Sequence, residues 1–429
     1  MESIWQKNIQ MPAFPQLQGD VKTDVLIIGG GITGILTAHN LKENGVDCIL
    51  VEKRKICSGT TGHTTAKLTC QHGLLYHKLL RSRGAETAQR YLQANQLALE
   101  KYDVLCRNIP CDFERKNNYV YSIGNRSVLE QELFALEKIG CQAHLREKLP
   151  LPIPTAGAVM TENQAQFHPL KFLSALAREL QVFEDTFVKE IRGRTAVTEQ
   201  GSITADHVIV TTHFPFINRH GGYFLKLYQH RSYVLALEHA GNLDGMYVDE
   251  NHTGLSFRTY GDYLLLGGGG HRTGKQGGCW KELRHFAQQH YPRAKEYCHW
   301  AAQDCMSLDG MPYIGQYSLG TPRLFTASGF HKWGMTGAML AAMLLTEQVL
   351  GKQSEYTGLF RPSRSMLRPQ LFVNGAEAVM NLLSFTGRRC PHLGCALHWN
   401  SAEHSWDCAC HGSRFASDGT VLDNPANGV

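Results

Sequence analysis

No run of the 429 residues approaches the continuous apolar length that spans a bilayer. There is no basic run either. The 43 Lys and Arg against 38 Asp and Glu leave a formal +5 spread along the whole chain, which argues against nucleic acid as a partner. The N-terminus, MESIWQKNIQMPAFPQ, carries an acidic second residue and lacks the apolar core of a secretory signal. These absences set the expectation of a cytoplasmic protein with no transmembrane segment. What remains is ordinary globular composition, with 19% charged and 43% hydrophobic residues and room for two or three domains.

Cysteine is not scarce. Nine of the thirteen are scattered singly and read as buried free thiols. The other four crowd into residues 389–415, RCPHLGCALHWNSAEHSWDCACHGSRF, beside four histidines. That clustering is a signal for metal chemistry.

The other end of the chain reads KTDVLIIGGGITGILTAHNLKENGVDCILVEK over residues 22–53. Asp24 to Ile28 is a short β-branched run suited to a buried parallel strand. A G-x-G-x-x-G turn follows, with Gly29, Gly31 and Gly34 at the glycine positions and Ile32 and Thr33 between them. Ile35 to Asn44 then has helical spacing and closes at Gly45. Cys48 to Val51 forms a second strand, with Glu52 and Lys53 at its end. Glycine permits the tight turn and close backbone approach, the helix N-terminus receives a pyrophosphate, and Glu52 can bond a ribose hydroxyl. A glycine-rich turn that binds nothing is the alternative, answered by the strand, helix and acid in their required places.

The turn alone does not separate NAD from FAD. Residues 58–68, SGTTGHTTAKL, form a small-residue loop in which Thr60, Thr61, His63, Thr64 and Thr65 can wrap more cofactor than NAD offers. Residues 324–351 read as a strand, a turn at Gly329, and a helix starting near Gly334, Met335 and Thr336. A helix N-terminus aimed at a flavin ring would stabilise the negative charge that reduction places near N1.

With these pieces in place, the chain resembles the FAD-dependent D-amino-acid oxidase, glycine oxidase and sarcosine oxidase superfamily. EDTFVKEI at 184–191, with Val188 by the adenine, ADHVIVTT at 205–212, LDGMPYIG at 308–315 and GFHKWGMT at 329–336 complete the match. The resemblance implies an α/β fold. Its discontinuous Rossmann-like FAD domain would comprise residues 1–85, 156–218 and 304–369, and an α+β substrate domain residues 86–155 and 219–303. His63 stands where dimethylglycine dehydrogenase-like relatives attach flavin covalently; a histidine that only lines the loop is the alternative. Arg231, Tyr233, His271 and Lys332 are the candidate catalytic or substrate-contacting residues, with Tyr228, Arg272 and His331 in the same segments. The carboxylate-binding Lys of sarcosine oxidases has no equivalent, because Thr336 fills its place.

The tail supplies C-x-H and, after a spacer, C-x-x-H, the donor set of a Rieske [2Fe–2S] centre: two thiolates for one iron, two imidazoles for the other. Zinc also takes two Cys and two His, but its fingers usually separate cysteines by about two to four residues, which explains a C-x-H pair poorly; unligated thiols with solvated histidines are the other alternative. The segment resembles Rieske proteins, and the resemblance makes Cys390, His392, Cys408 and His411 the ligands. Cys395 and Cys410 match the pair that forms a loop-to-loop disulfide in many of them. Ser413 is placed to donate to a bridging sulfide, and Phe415 stands where high-potential members carry Tyr. His398 and His404 read as solvated. Only a small all-β lobe, residues 370–429 with its linker, is expected, too small for its own core.

A flavin takes two electrons at once and the cluster carries one. The expected function is a dehydrogenase that oxidises a C–N bond of an amino acid or amine and sends electrons to a protein or quinone acceptor. The competing readings are an electron-transfer reductase running the other way, and a redox or iron sensor.

Overall fold

The computed structural model describes residues 2–251, 254–384 and 387–426. The run Val21–Ile28 forms a central parallel strand, with Ser202–Val210 on one side and Cys48–Val51 on the other. Leu324–Ser328 extends the sheet in parallel beyond Ser202–Val210, and Tyr313–Gln316 closes that edge antiparallel. Val25 to Ile28 are buried because both faces of this sheet are covered. One cover is the helix Gly334–Val349, which packs on Ile32–Glu43 and on the long helix Tyr76–Cys106. Its buried positions run almost unbroken from Met335 to Thr346, so it lies in the core rather than on it. The long helix kinks at Gly84, whose φ is +84°.

The second sheet has nine strands in the described residues and is mostly antiparallel. Leu227–Glu238 lies between Tyr263–Arg272 and Lys295–Ser307. Two pieces grouped with the FAD domain in the sequence reading also pair here: Gly157–Gln166 joins Glu114–Ser122, and Lys67–Leu68 joins Gly157–Gln166.

The tail folds as a separate four-stranded antiparallel sheet. Leu397–Asn400 pairs with Ser405–Cys408 as the hairpin between the C-x-H and C-x-x-H loops, followed by Arg414–Phe415 and Val421–Asp423. A helix, Pro369–Leu383, leads into it. The core of the lobe is little more than four cysteines, Leu397, Phe415 and Ala426. Such a small core leans on the body. Arg272 Nε donates to Ala409 O (3.0 Å), Gln303 Nε2 to Gly412 O (2.8 Å), and Arg54 to Leu422 O (3.1 Å).

Candidate functional site

A cavity of about 670 Å³ runs from the G-x-G-x-x-G turn to the start of the helix Gly334–Val349. Gly29, Gly31, Ile32 and Thr33 line one end, with Glu52, Lys53 and Val188 beside them. Thr60, Thr61, His63, Thr64 and Thr65 line the middle, and Gly334 and Met335 lie at the far end. The glycines are required sterically. At Gly29, φ is +115° and a Cβ would lie 2.8 Å from Thr211 O; at Gly34 it would lie 2.0 Å from Gly29 O. Gly34 therefore serves helix–strand packing and does not itself line the cavity. Gly329 and Thr336 do not line it either. Gly329 makes a turn with φ +73°, and the Thr336 hydroxyl is bonded within the core to Thr69 O (3.1 Å).

Glu52 is held at the end of its strand, where Oε2 accepts from Gly30 N (2.7 Å) and Oε1 from Arg54 N (3.0 Å). Burial pushes its carboxyl pKa up, and these two backbone bonds oppose the shift. His63 Nδ1 faces Gly59 O at 2.8 Å. His331 and Lys332 both have positive φ, +52° and +70°, beside the start of the helix. Two consecutive non-glycine residues in this region cost about 1–3 kcal/mol each, a strain that clusters at ligand sites. Burial lowers the Lys332 pKa, with Asp304 working against that.

The sequence reading missed Lys67. It lines the cavity as a buried residue, with Nζ 3.4 Å from Thr65 Oγ1 and 3.5 Å from Ser256 Oγ. Burial, then Arg258, drives its pKa down to about 7. A single Lys at the end of a threonine loop carries no local pattern that marks it.

Of the four candidate catalytic residues, Lys332 and Tyr233 line the cavity, while Arg231 and His271 do not. Arg231 instead forms a two-pronged ion pair with Glu403 of the tail lobe, Nε to Oε1 at 2.9 Å. The Tyr233 hydroxyl donates to the same carboxylate (3.0 Å) and meets His271 Nε2 at 2.9 Å. The cause is the lobe itself, whose hairpin turn inserts a buried carboxylate against this strand. Arg272 stacks over the Tyr228 ring, 4.9 Å from its centroid, and serves docking through Ala409.

In the lobe, the Cys408 thiol lies within hydrogen-bonding reach of Cys390, Cys395 and Cys410. The sulfurs of Cys395, Cys408 and Cys410 all lie within 4.8 Å of one another, and all are free thiols. His392 Nδ1 faces His411 Nδ1 at 3.3 Å, and His392 Nε2 meets Asn218 Oδ1 at 3.1 Å. The His411 ring bonds the Phe224 backbone. The two Nδ1 atoms thus face each other, and Asn218 orients the His392 ring from its far side. Close thiols and a pair of facing imidazoles in one small lobe supply the donor types of a [2Fe–2S] site, although the tightest cluster of sulfurs is Cys395, Cys408 and Cys410 rather than the expected ligand pair. His404 is exposed, but His398 is half-buried with Nε2 2.8 Å from Asn381 Oδ1, so only one of this pair is solvated.

The histidine edge of the lobe faces the body. The Phe214 ring lies 6.2 Å from the His411 ring and 6.4 Å from the His392 ring, and the same residue lines the cavity.

Comparison with known proteins matches both parts. The family model "FAD dependent oxidoreductase" (DAO) covers residues 24–348, and the "Rieske [2Fe-2S] domain" model covers residues 371–429. A Bacillus subtilis (strain 168) protein, YhfW, described as a Rieske 2Fe-2S iron-sulfur protein, is 33% identical over 99% of this chain and 96% of its own. Glycine oxidase from Geobacillus kaustophilus superposes with a TM-score of 0.69 at 19% identity, over 80% of this chain and 99% of that one. L-proline dehydrogenase from P. horikoshii gives 0.68 at 16%, over 82% and 98%. No helix of the described residues is long and apolar enough to cross a membrane. The chain belongs to the FAD-dependent oxidoreductase (DAO) family and carries a C-terminal Rieske domain, so its cofactors are FAD and a [2Fe–2S] cluster.

Proposed function

We propose that this chain is a dehydrogenase that oxidises a C–N bond of an amino acid or amine and delivers the electrons through its Rieske lobe to an external protein or quinone. FAD supplies two-electron acceptance and the [2Fe–2S] cluster one-electron transfer when bound. The carrying observation is Phe214, which lines the FAD cavity and packs edge-on against both histidines of the lobe. A lobe built only to meet outside partners would leave that edge open, yet His411 is 4% exposed.

Cys390, His392, Cys408 and His411 are the proposed cluster ligands. Gly29, Gly31, Glu52 and the threonine loop are the proposed FAD contacts. The fold neighbours that act on glycine and L-proline support an amino-acid or amine substrate. In that reading Lys67 and Lys332, buried cations on the cavity wall, hold the anionic part of the substrate. Arg231 and His271 act in docking the lobe.

A Cys408→Ser variant that retains FAD tests the reading. Anaerobic flavin reduction by the active member of an amine and amino-acid panel should be unchanged, and turnover with a one-electron protein acceptor should collapse. Equal turnover with every acceptor would overturn it.

A further inference from the structure

The helix Pro369–Leu383 is packed inside out. Its buried positions are Asn374 and Asn381, and they are polar. Asn374 Oδ1 accepts from Arg272 (3.0 Å), Asn381 Oδ1 meets His398 Nε2 (2.8 Å), and Glu377 pairs with Lys275 at 2.8 Å. The opposite face carries Phe372, Val373, Val379, Met380 and Leu383, all exposed. Phe372 and Leu383 are each 70% exposed, and Leu367, just before the helix, is 76% exposed. These positions fall at i, i+1, i+7, i+8 and i+11, which is one continuous stripe. Water is a poor neighbour for such a stripe, and scattered exposed leucines elsewhere do not resemble it.

The surroundings say what covers it. Between residues 356 and 402 the chain has five arginines and one acidic residue, Glu377, which is turned toward Lys275. Arg361 precedes the helix and Arg388 follows it, both exposed. Arg389 caps the C-terminal carbonyls, reaching Asn381 O (3.2 Å) and Leu382 O (3.1 Å). An apolar face with positive charge at both ends matches an anionic lipid surface, with side chains in the acyl boundary and arginines among headgroups. A second copy is the poorer fit, because antiparallel pairing of two such faces brings arginine ends together. The helix is too short to cross a bilayer.

We propose that this helix is an in-plane anchor that seats the protein on an anionic membrane surface. The first ligand loop begins shortly beyond it, and Ala396 N is tied to Asn381 O at 2.9 Å, so the cluster lobe is carried to the surface with the helix. The lipid contact stands apart from the route of the electrons.

The test is sedimentation of full-length, FAD- and iron-loaded protein with phosphatidylcholine vesicles, with and without phosphatidylglycerol. Wild type should sediment with the phosphatidylglycerol vesicles, more weakly as salt rises. A Phe372→Ser/Leu383→Ser variant with unchanged flavin absorbance should lose about tenfold or more of its partitioning. Arg361→Gln/Arg388→Gln should weaken binding at low salt only. Wild type left in the supernatant at low salt would overturn the proposal. So would a wild-type dimer in light scattering that the Phe372→Ser/Leu383→Ser variant converts to monomer, since a second copy would then cover the face.

Discussion

The guanidinium of Arg231, on a body strand, grips the carboxylate of Glu403, at the turn of the cluster lobe, with both groups almost wholly buried. Glu403 also receives Arg414 at 2.8 Å, and Arg414 holds Asp407 and Asp423. Burial works against the Glu403 charge, but Arg231 and Arg414 overcome it and hold the carboxyl below its usual range. Breaking a buried pair by removing one partner strands a charge and costs about 3–5 kcal/mol. Glu403→Ala should therefore undock the lobe while FAD stays bound. Limited proteolysis should cut between the body and the lobe in the variant and spare the wild type.

Gly274 tests the docking distance from the body side. Its φ is +76°, and a Cβ would lie 2.6 Å from Ala409 N, between the proposed ligands Cys408 and His411. Gly274→Ala should push the lobe outward without touching the cavity. Stopped-flow absorbance should show flavin reduction at the wild-type rate and slowed cluster reduction. Unchanged cluster reduction would mean that this contact does not set the distance.

Lys67 predicts a pH dependence. With its pKa near 7, the ammonium is present below that value and lost above it. A bound carboxylate favours the charged form, so binding is strongest below about pH 7 and weakens as pH rises through it. The Kd of a carboxylate-bearing substrate or inhibitor should climb about tenfold per pH unit on the alkaline side. Lys67→Arg should flatten the climb, and Lys67→Met should bind weakly at every pH.

The cluster potential depends on donors to its sulfurs, over a family range of about −150 to +300 mV. The Ser413 hydroxyl reaches the Cys390 sulfur, and Phe415 packs in the same core as the four cysteines. Ser413→Ala should lower the potential and Phe415→Tyr should raise it, read by protein-film voltammetry. Metal analysis of the same samples should give two irons per chain and no stoichiometric zinc.

The G-x-G-x-x-G turn and the C-x-H/C-x-x-H spacing were legible because both are local. Gly29 has no room for a Cβ, and the proposed tail ligands sit in two short loops joined by a hairpin. Arg231 was not, because the carboxylate that claims it lies 172 positions away. Nothing near RSYVLALEHA announces that partner. The helix at 369–383 shows a related limit: only packing decides that its asparagine face is the inner one. Lys67 needed the folded cavity to reveal its burial.

Anaerobic mixing of the holoprotein with its amine or amino-acid substrate, following flavin absorbance and the paramagnetic signal of the reduced cluster together, tests the central claim most directly. The flavin should bleach and the cluster signal should then grow in the same molecules, with no added mediator. A flavin that bleaches while the cluster stays oxidised, or a flavin that no amine or amino acid bleaches but that reduces once the cluster is supplied with electrons, would contradict it.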